Sequence, residues 1–304
     1  PTRRSSDLEV ILPLMQKKGL SLDKDFFLAF SPERIDPGNS KYDFTNIPKV
    51  IGGFTPKSTM LGEKLYSKVV KKVVGVSNPE SAEVTKLLEN TFRLVNIALI
   101  NEFAALCHKL GIDVWEVIRA ASTKPFGFMP FYPGPGIGGH CIPADPIYLS
   151  WKAKKVGFET KMIDLAAHVN REMPKKIVSR SMEVLSKMRG KVSGSRVMVL
   201  GVTYKKDVND LRDSPAIEII KFLKRKKINV SYFDPYIPKF EIGTLRFSSV
   251  KPDAALLKKQ DLVMIITDHS SVNYKKIADN SRLVFDTRNV IERNGIKSGN
   301  VIKL

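Results

Sequence analysis

A long helical pattern in the middle of the chain limits the folds that this sequence can adopt. It begins after Ser77-Asn78-Pro79, where a capping residue is followed by proline in the first helical turn, and it continues to a stop at Leu110-Gly111. About 30 residues of helix extend roughly 45 Å. We therefore expect this helix to join two domains or to form the spine of a dimer.

Strand and helix patterns alternate on both sides of this helix. On its amino-terminal side, a short apolar run at 26–30 precedes a strand near 50–52, a helix near 57–69 and a strand near 72–76. On its carboxy-terminal side, strands are predicted with helical pieces between them at 196–200, 229–233, 261–267 and 282–285. We predict an α/β fold in which the second α/β domain contains a mainly parallel sheet with its ligand at the carboxyl ends of the strands.

Charge allows anionic partners without choosing one. The chain has 50 Lys and Arg against 31 Asp and Glu, a net charge of +19, but the basic residues are spread over predicted helix ends instead of forming a stripe interleaved with aromatic residues. Neither a run of about 18 apolar residues nor a secretory signal pattern occurs. We expect a cytoplasmic protein whose partners include neither nucleic acid nor a membrane.

Cysteine and histidine usage indicates a reducing compartment and no metal site. Cys107 and Cys141 are the two cysteines, too few for a disulfide framework. The four histidines share no ligand spacing: His108, His140, His168 and His269. Cys107 lies in an apolar helical segment, where a cysteine is usually a small buried hydrophobic residue.

The stretch FYPGPGIGGHCIPADP, residues 131–146, contains a G-x-G-x-x-G pattern. A dinucleotide-binding turn needs a strand before the glycines and a helix directly after them. Prolines flank the pattern on both sides, so we predict neither element and no dinucleotide site here. The glycines instead allow the backbone close to a ligand, and they flank Cys141, with Asp145 four residues later.

Other candidates for chemistry are individually ambiguous. Lys86 and Asn90 are one turn apart, so they project from one helix face as an oxyanion-stabilising pair or as ordinary solvated side chains. Glu33 follows a proline in a loop at a strand end. It is either a carboxylate that activates water or an ordinary loop residue. Residues 201–207 follow a strand, where a phosphate-binding turn is expected, and Arg288 comes directly after another strand, where it could grip a diphosphate.

Several motifs together resemble one family, the UDP-glucose/GDP-mannose dehydrogenases, from about Leu8 to the end of the chain. They are FSPERIDPGN (30–39), EVTKLLENTFRLVNIALINE (83–102), GGHCIPADP (138–146), GVTYKKDVNDLRDSPA (201–216) and FDTRNVI (285–291). Within the family, residues 124–153 are most similar to bacterial UDP-N-acetylglucosamine 6-dehydrogenases.

The resemblance implies a domain plan. Residues 8–76 are the carboxy-terminal part of an NAD-binding Rossmann domain, 77–190 a central helical domain that forms a homodimer through its long helix, and 191–304 a Rossmann-like, doubly wound UDP-sugar-binding domain. Residues 1–7 do not suit the amphipathic segment that follows, and we expect them to be non-native.

The resemblance also implies a reaction: oxidation of the C6 alcohol of a UDP-hexose to a uronate, with NAD as cofactor and the Cys141 thiolate as nucleophile. Lys86 and Asn90 would stabilise an oxyanion, Asp145 would help to transfer protons, and Glu33 would position or activate water. Five residues match substrate-binding positions: Tyr132, Gly138, Tyr204, Lys205 and Arg288. Arg212 matches a position that approaches the cofactor.

Two departures from the family pattern matter. Pro37 replaces a second glutamate of the glucose-specific relatives, so that role is not transferred. The family's true G-x-G-x-x-G is absent from this sequence, so we expect the chain alone to bind a UDP-sugar without producing NADH. The same chemistry on UDP-glucose, UDP-N-acetylmannosamine or GDP-mannose, and a non-catalytic basic nucleotide-binding module, stay as alternatives.

Overall fold

The structure, a computed structural model, describes residues 10–36, 38–39, 41–190 and 192–304, apart from the side chain of Arg189. Pro37 and the expected non-native segment 1–7 lie outside the described residues. The chain forms two compact units, Pro1–Phe92 and Arg93–Leu304, and the boundary falls within the long helix.

The first unit is built on a three-stranded sheet. Its elements are α1 (Leu12–Lys17), β1 (Ala29–Phe30), β2 (Lys49–Gly53), α2 (Pro56–Tyr66), β3 (Val73–Val76) and the beginning of α3 (Pro79–Leu110). β2 and β3 are parallel and β1 is antiparallel to β2. The predicted alternation of strand and helix is confirmed, although β1 is shorter than the apolar run at 26–30.

The second unit begins with helices. They are the rest of α3, α4 (Val114–Ala121), α5 (Cys141–Lys155) and α6 (Lys161–Arg189). α3 has 32 residues, which confirms the predicted long helix. α4 starts where the side chain of Asp113 accepts a hydrogen bond from the Trp115 amide, and it buries Cys107 of α3 in a small apolar cluster. Cys107 is therefore a core residue, as predicted.

The prediction that no helix directly follows the glycine loop was wrong. α5 begins at Cys141, and Pro143 lies in its first turn, where a backbone N–H has no partner within the helix and its loss costs little. Pro146 is accommodated inside the helix. The strand prediction was right, because residues 122–140 contain no strand before the glycines.

α6 is shared between the helical part of this unit and its sheet. Its amino-terminal half packs Ala166 and Ala167 against Leu94 and Ala98 of α3. Its carboxy-terminal half contributes Ile177, Val178 and Leu185 to the core beneath the sheet. A proline, Pro174, lies inside the helix between these two halves.

The sheet of the second unit has five strands in the order β10-β9-β8-β4-β5, all parallel. The elements are β4 (Arg196–Leu200), α7 (Pro215–Arg225), β5 (Asn229–Phe233), β6 (Lys239–Ile242), β7 (Leu245–Ser248), α8 (Ala254–Lys259), β8 (Leu262–Ile265), α9 (Tyr274–Asn280), β9 (Val284–Asp286), α10 (Val290–Arg293) and β10 (Val301–Lys303). β6 and β7 form a separate hairpin, which the sequence patterns did not predict.

Both faces of this sheet are covered. Val197 and Val199 of β4 enter one core with α6 and α7, whereas Met198 and Leu200 enter a second core with α8 and α9. Burial on both faces explains why the strands read as continuous apolar runs instead of alternating patterns. The predicted doubly wound, mainly parallel domain is confirmed.

Candidate active site

The carboxyl ends of the strands in the second unit form a natural ligand edge. The order in which strands are added to the sheet switches sides between β4 and β8, since β5 lies on one side of β4 and β8 to β10 lie on the other. Ligands of open parallel sheets bind at such a switch point. The turn 201–207 leaves β4 and Arg288 follows β9, so two of the predicted phosphate-binding features share this edge.

The turn 201–207 is fixed by backbone packing and by a buried carboxylate. Gly201 has φ of 78°, and a Cβ atom there would lie 2.2 Å from the carbonyl oxygen of Thr267, so this position requires glycine. The Asp234 carboxylate accepts hydrogen bonds from the amides of Val202 and Thr203 at 2.7 and 3.2 Å. These contacts hold the half-buried Tyr204 and Lys205 at the strand end.

Arg288 is held with its guanidinium tip uncommitted. Its Nε donates to the carbonyl oxygen of Ile266 at 2.8 Å, and its amide donates to Asp286 Oδ1 at 2.9 Å. Burial lowers the pKa of Arg288, although Asp268 and Asp286 oppose the effect. Within the described residues Arg288 forms no ion pair, so its two terminal nitrogens suit an incoming diphosphate.

The glycines of the loop 134–139 allow this loop to pack closely against the sheet edge. A Cβ atom on Gly134 would lie 2.6 Å from Arg288 Nη1, and one on Gly138 would lie 2.7 Å from Tyr204 Cβ. Gly139, with φ of 80°, would meet the Tyr204 ring at 2.8 Å. The pattern that resembles a dinucleotide signature is therefore a packing motif over two predicted substrate-binding residues.

Hydrogen bonds anchor both ends of this loop. The amide of Gly139 donates to the carbonyl oxygen of Arg212 at 2.9 Å. The amide of Gly134 donates to Asn101 Oδ1 at 2.9 Å, and Asn101 Nδ2 donates to Asn170 Oδ1 at 3.0 Å. Both asparagines are buried. Sequence reasoning missed them, although an amide at an inward-facing position of a long helix was a usable signal.

Cys141 is the first residue of α5 and is exposed. The amino terminus of a helix stabilises negative charge, which suits a cysteine that reacts as its thiolate. Asp145 is half-buried and lies one turn later in the same helix, so both residues project from neighbouring positions of one face. The helix fixes the predicted nucleophile and the predicted proton-transfer residue on one rigid element.

Arg212 lies within electrostatic reach of this cysteine. A bidentate pair with Asp210, with contacts of 2.6 to 3.1 Å, raises the pKa of Arg212, and Tyr204 and Cys141 contribute smaller effects in the same direction. Its side chain is exposed. The structure therefore groups Cys141, Tyr204 and Arg212 in the second unit.

Tyr132 stands at the beginning of the glycine loop. Its ring is exposed and stacks on Trp115 of α4, with ring centroids 6.2 Å apart. Trp115 itself is buried, and its indole N–H finds no hydrogen-bond partner among the residues that the structure describes. Sequence reasoning did not identify Trp115, since a lone tryptophan in an amphipathic helix normally indicates core.

The remaining candidates belong to the first unit. Lys86 is half-buried and Asn90 buried, on neighbouring positions of α3. The loop with Glu33 is tied to the same helix, because the guanidinium of Arg34 contacts both oxygens of Glu89 at 2.6 and 3.2 Å. The structure thus places the Glu33 loop beside the helix that carries the predicted oxyanion pair.

Glu33 is strongly held by local partners. Burial alone would raise its pKa, but the ion pair with Lys49 at 3.0 Å and hydrogen bonds from the amides of Ile35 and Arg34 outweigh burial and lower the pKa. A carboxylate with a lowered pKa accepts protons less readily. Of the two roles predicted for Glu33, this environment favours positioning water over activating it.

No group of three or more His, Cys, Asp or Glu side chains that could hold a metal ion occurs among the described residues. Over the described ranges, none of the helices combines the length and the apolar character needed to cross a bilayer.

Comparison with known proteins gives three family-model matches. They are the NAD binding domain of the UDP-glucose/GDP-mannose dehydrogenase family at residues 4–70, its central domain at 80–172 and its UDP binding domain at 198–293. The match to the NAD binding domain confirms NAD as the cofactor predicted from the sequence.

Individual relatives agree with these matches. The chain is 39% identical over 231 residues to a UDP-N-acetyl-D-glucosamine 6-dehydrogenase of Pseudomonas aeruginosa, covering 75% of this chain and 54% of the relative. It is 37% identical over 279 residues to a UDP-N-acetyl-D-mannosamine dehydrogenase of Pyrococcus horikoshii, covering 90% and 64%. The solved structure of a UDP-D-ManNAc dehydrogenase from Pyrococcus horikoshii superposes with a TM-score of 0.82 at 31% identity, covering 98% of this chain and 69% of that one. The chain thus spans between half and two thirds of the length of these two curated relatives.

The described residues fit a dinucleotide in part. At the start of α2, the Thr55 hydroxyl accepts the Ser58 amide at 3.0 Å and donates to Asp23 at 2.6 Å, so a carboxylate already lies at this helix terminus and disfavours a second anion there. The exposed guanidinium of Arg212 has the chemistry to contact a cofactor phosphate or amide. The fit within these residues therefore rests on Arg212.

Proposed function

Because the chain belongs to the UDP-glucose/GDP-mannose dehydrogenase family, we propose that it serves the oxidation of the C6 alcohol of a UDP-sugar to a uronate. One observation carries the proposal. The loop that leads into Cys141 packs directly on Tyr204 and Arg288 at the ligand edge of the sheet. A nucleotide gripped at that edge is thereby placed in the same unit as a helix-borne thiol.

The chemistry uses one sulfur to divide a difficult oxidation. When bound, NAD supplies the hydride acceptor for each of the two oxidation steps. Loss of a hydride and a proton from the C6 alcohol gives an aldehyde, and the Cys141 thiolate attacks its carbonyl carbon while the oxygen takes up a proton. Loss of a second hydride and a proton from this thiohemiacetal gives a thioester. Attack by water then breaks the carbon–sulfur bond and releases the carboxylate, the thiol and one proton.

The remaining residues bind and stabilise. We assign the diphosphate to the uncommitted fork of Arg288 and to Lys205, and the nucleoside and sugar to Tyr204, Tyr132 and the backbone at Gly138. Lys86 and Asn90 would stabilise negative charge on the reacting oxygen. Asp145 would transfer protons and Glu33 would orient water.

Substitution of the two cysteines tests the proposal in the whole protein. Cys141→Ser should abolish steady uronate formation, since a serine hydroxyl is a weaker nucleophile at neutral pH and its ester is less reactive. Cys107→Ser is the matched control, because Cys107 is buried in a structural cluster. Steady turnover by Cys141→Ser near the parent rate would refute the assignment, and a UDP-binding protein without any turnover would favour the non-catalytic alternative.

For the sugar, we propose UDP-N-acetylglucosamine over UDP-glucose. A site that hydrogen-bonds an acetamido group leaves buried polar groups unpaired when the smaller sugar binds. Relatives that act on UDP-N-acetylglucosamine and on UDP-N-acetylmannosamine are similarly close, so the epimer has to be measured. Competition assays of kcat/KM with the three sugars decide it, and a preference for UDP-glucose would contradict the proposal while leaving the reaction intact.

We also propose a homodimer through α3. Exposed apolar side chains recur along one side of its second half: Leu99, Phe103, Leu106 and Leu110. Phe103→Glu should shift the protein to monomer in light-scattering measurements, whereas Leu245→Glu, at an exposed leucine of the hairpin, should not. A dimer that survives Phe103→Glu at micromolar concentration would place the interface elsewhere.

A further inference from the structure

A buried histidine lies beneath the turn that carries Tyr204 and Lys205. His269 follows β8 and is completely buried. The sequence predicted only that it is not a metal ligand and indicated no other role for it. Its ring contacts the loops that follow β4 and β5, the two strands next along the sheet edge. A buried, fully bonded imidazole at a ligand edge calls for a physical account.

The hydrogen bonds determine the form of the ring. The amide of Asp207 donates to His269 Nδ1 at 3.0 Å, so Nδ1 is an acceptor and the proton resides on Nε2. Nε2 lies 2.9 Å from Asp234 Oδ2 and 3.2 Å from Thr203 Oγ1. The Thr203 hydroxyl donates to the carbonyl oxygen of Lys205 at 2.8 Å, so its oxygen accepts from the ring. His269 is thus a neutral donor and acceptor.

These bonds close the turn at both ends. Asp234 Oδ2, which receives the ring proton, also accepts the amides of Val202 and Thr203 at the beginning of the turn. At the far end, the Asp207 carboxylate accepts the amide and hydroxyl of Ser270 at 2.8 and 2.6 Å. Asp207 has a positive φ of 60°, which is costly for a residue other than glycine and persists only where the surroundings enforce it.

We infer that His269 is a positioning residue, which holds the turn 201–207 in the conformation that presents Tyr204 and Lys205 to a nucleoside diphosphate. The identity of the ligand rests on the proposed function, whereas the ordering of the turn rests on the bonds just described. Without the imidazole, the buried Asp234 carboxylate loses a donor and the Asp207 amide loses its acceptor. The contacts that keep Asp207 at a positive φ are then incomplete, and we expect the turn to relax.

Substitutions of His269 separate positioning from stability. In the full chain, His269→Ala should weaken UDP binding about tenfold by calorimetry and speed hydrogen exchange at the amides of Val202, Thr203 and Asp207. His269→Gln can place an N–H near the position of Nε2, so it should recover most of the affinity. His269→Asn keeps an acceptor near the position of Nδ1 but lacks the donor near Nε2, so it should bind UDP more weakly than His269→Gln. This comparison tests the inference if His269→Ala does not fold.

Asn300→Ala is the matched control. Asn300 donates to the carbonyl oxygens of Ala278 and Ser281 at the opposite, amino-terminal edge of the same sheet, so its loss also removes two partly buried hydrogen bonds. It should lower stability without changing UDP affinity or exchange in the turn. Equal losses of UDP affinity in Asn300→Ala and His269→Ala would overturn the inference, as would unchanged exchange in a folded His269 variant. If the parent chain fails to bind UDP but hydrogen exchange in the turn is still faster in His269→Ala than in the parent, the inference is supported and the proposed function is refuted.

Discussion

Substitution of Gly139 by alanine tests whether the glycine loop is a packing motif over Tyr204. Gly139 precedes α5 and has φ of 80°, and Gly157 follows the same helix with φ of 77°. Alanine at either position meets the same left-handed backbone penalty, about 1–2 kcal/mol. A Cβ atom at Gly139 would additionally lie 2.8, 3.0 and 3.2 Å from three atoms of the Tyr204 ring, whereas nothing lies within 4 Å of one at Gly157.

The difference between the two variants isolates the contact. Overpacking of this kind costs about 1–3 kcal/mol, so Gly139→Ala should lower the free energy of unfolding by roughly 2–5 kcal/mol and Gly157→Ala by roughly 1–2 kcal/mol. For a unit of this size, each 1 kcal/mol lowers the midpoint of thermal unfolding by about 2–4 °C. Because the clash displaces the Tyr204 ring or lifts the loop, UDP affinity should fall in Gly139→Ala alone.

Circular dichroism melts and calorimetry with UDP measure the two effects separately. If both variants lose the same stability and bind UDP like the parent, the loop does not pack on Tyr204 as described. If Gly139→Ala loses stability but keeps UDP affinity, the packing is correct and Tyr204 has no part in the nucleotide site.

Three further predictions address the same unit. Arg288→Lys should weaken UDP binding by about tenfold or more, because an ammonium cannot replace a bidentate fork, while Arg293→Lys at the same edge should change it little, as calorimetry will show. Asn101→Ala should lower the free energy of unfolding by about 1–3 kcal/mol in urea titrations, since it removes the acceptor of the buried Gly134 amide and the donor to Asn170 Oδ1. Burial opposes ionisation of Asp234, but the hydrogen bonds from His269 and from backbone amides outweigh burial and lower the pKa of Asp234. The ionised carboxylate therefore stabilises the fold fully at pH values above the ordinary carboxyl pKa, and this stabilisation is lost as the pH falls through the lowered pKa of the folded state. In acid titrations, the free energy of unfolding should fall more steeply for the parent than for Asp234→Asn.

Periodicity predicted the elements that carry strong local signals. The long helix and the strands β4, β5, β8 and β9 are close to where the patterns placed them, and the signal is strongest for β4 and β8, whose apolar residues are buried on both faces of the sheet. β10, of three residues, was not predicted. The β6–β7 hairpin was missed because its strands, KFEI and LRFS, are short and mostly exposed. Their pairing depends on tertiary contacts that local propensity does not encode.

The start of α5 shows how a correct rule was misapplied. Proline disrupts helix interiors, so the sequence IPADP predicts that no helix directly follows the glycines. The rule is weak in the first turn, where no carbonyl awaits the missing N–H, and Pro143 lies there. The revised element strengthens the interpretation of Cys141, since a helix terminus replaces a loop as its support.

Candidate residues were found where a motif carried them and missed where only the fold does. Arg288 and Tyr204 were identified from motif position, and the structure places both against the glycine loop. Asn101 and His269 act through partners 69 and 66 positions away in the chain, so no local pattern identifies those partners. Long-range hydrogen bonds between buried polar groups are invisible before the fold is known.

The division of α6 between the helical part and the sheet has a mechanical consequence. If the helices that carry Cys141 rotate relative to the sheet that carries Arg288, α6 has to bend, because it is one continuous helix. The bend is easiest at Pro174, whose ring nitrogen cannot donate to the carbonyl of Asn170 and which touches the position of a Cβ atom on Gly136 at 3.4 Å. Bending of α6 would thus move the glycine loop at its midpoint and change the distance between the Cys141 thiol and the Arg288 guanidinium without breaking either core.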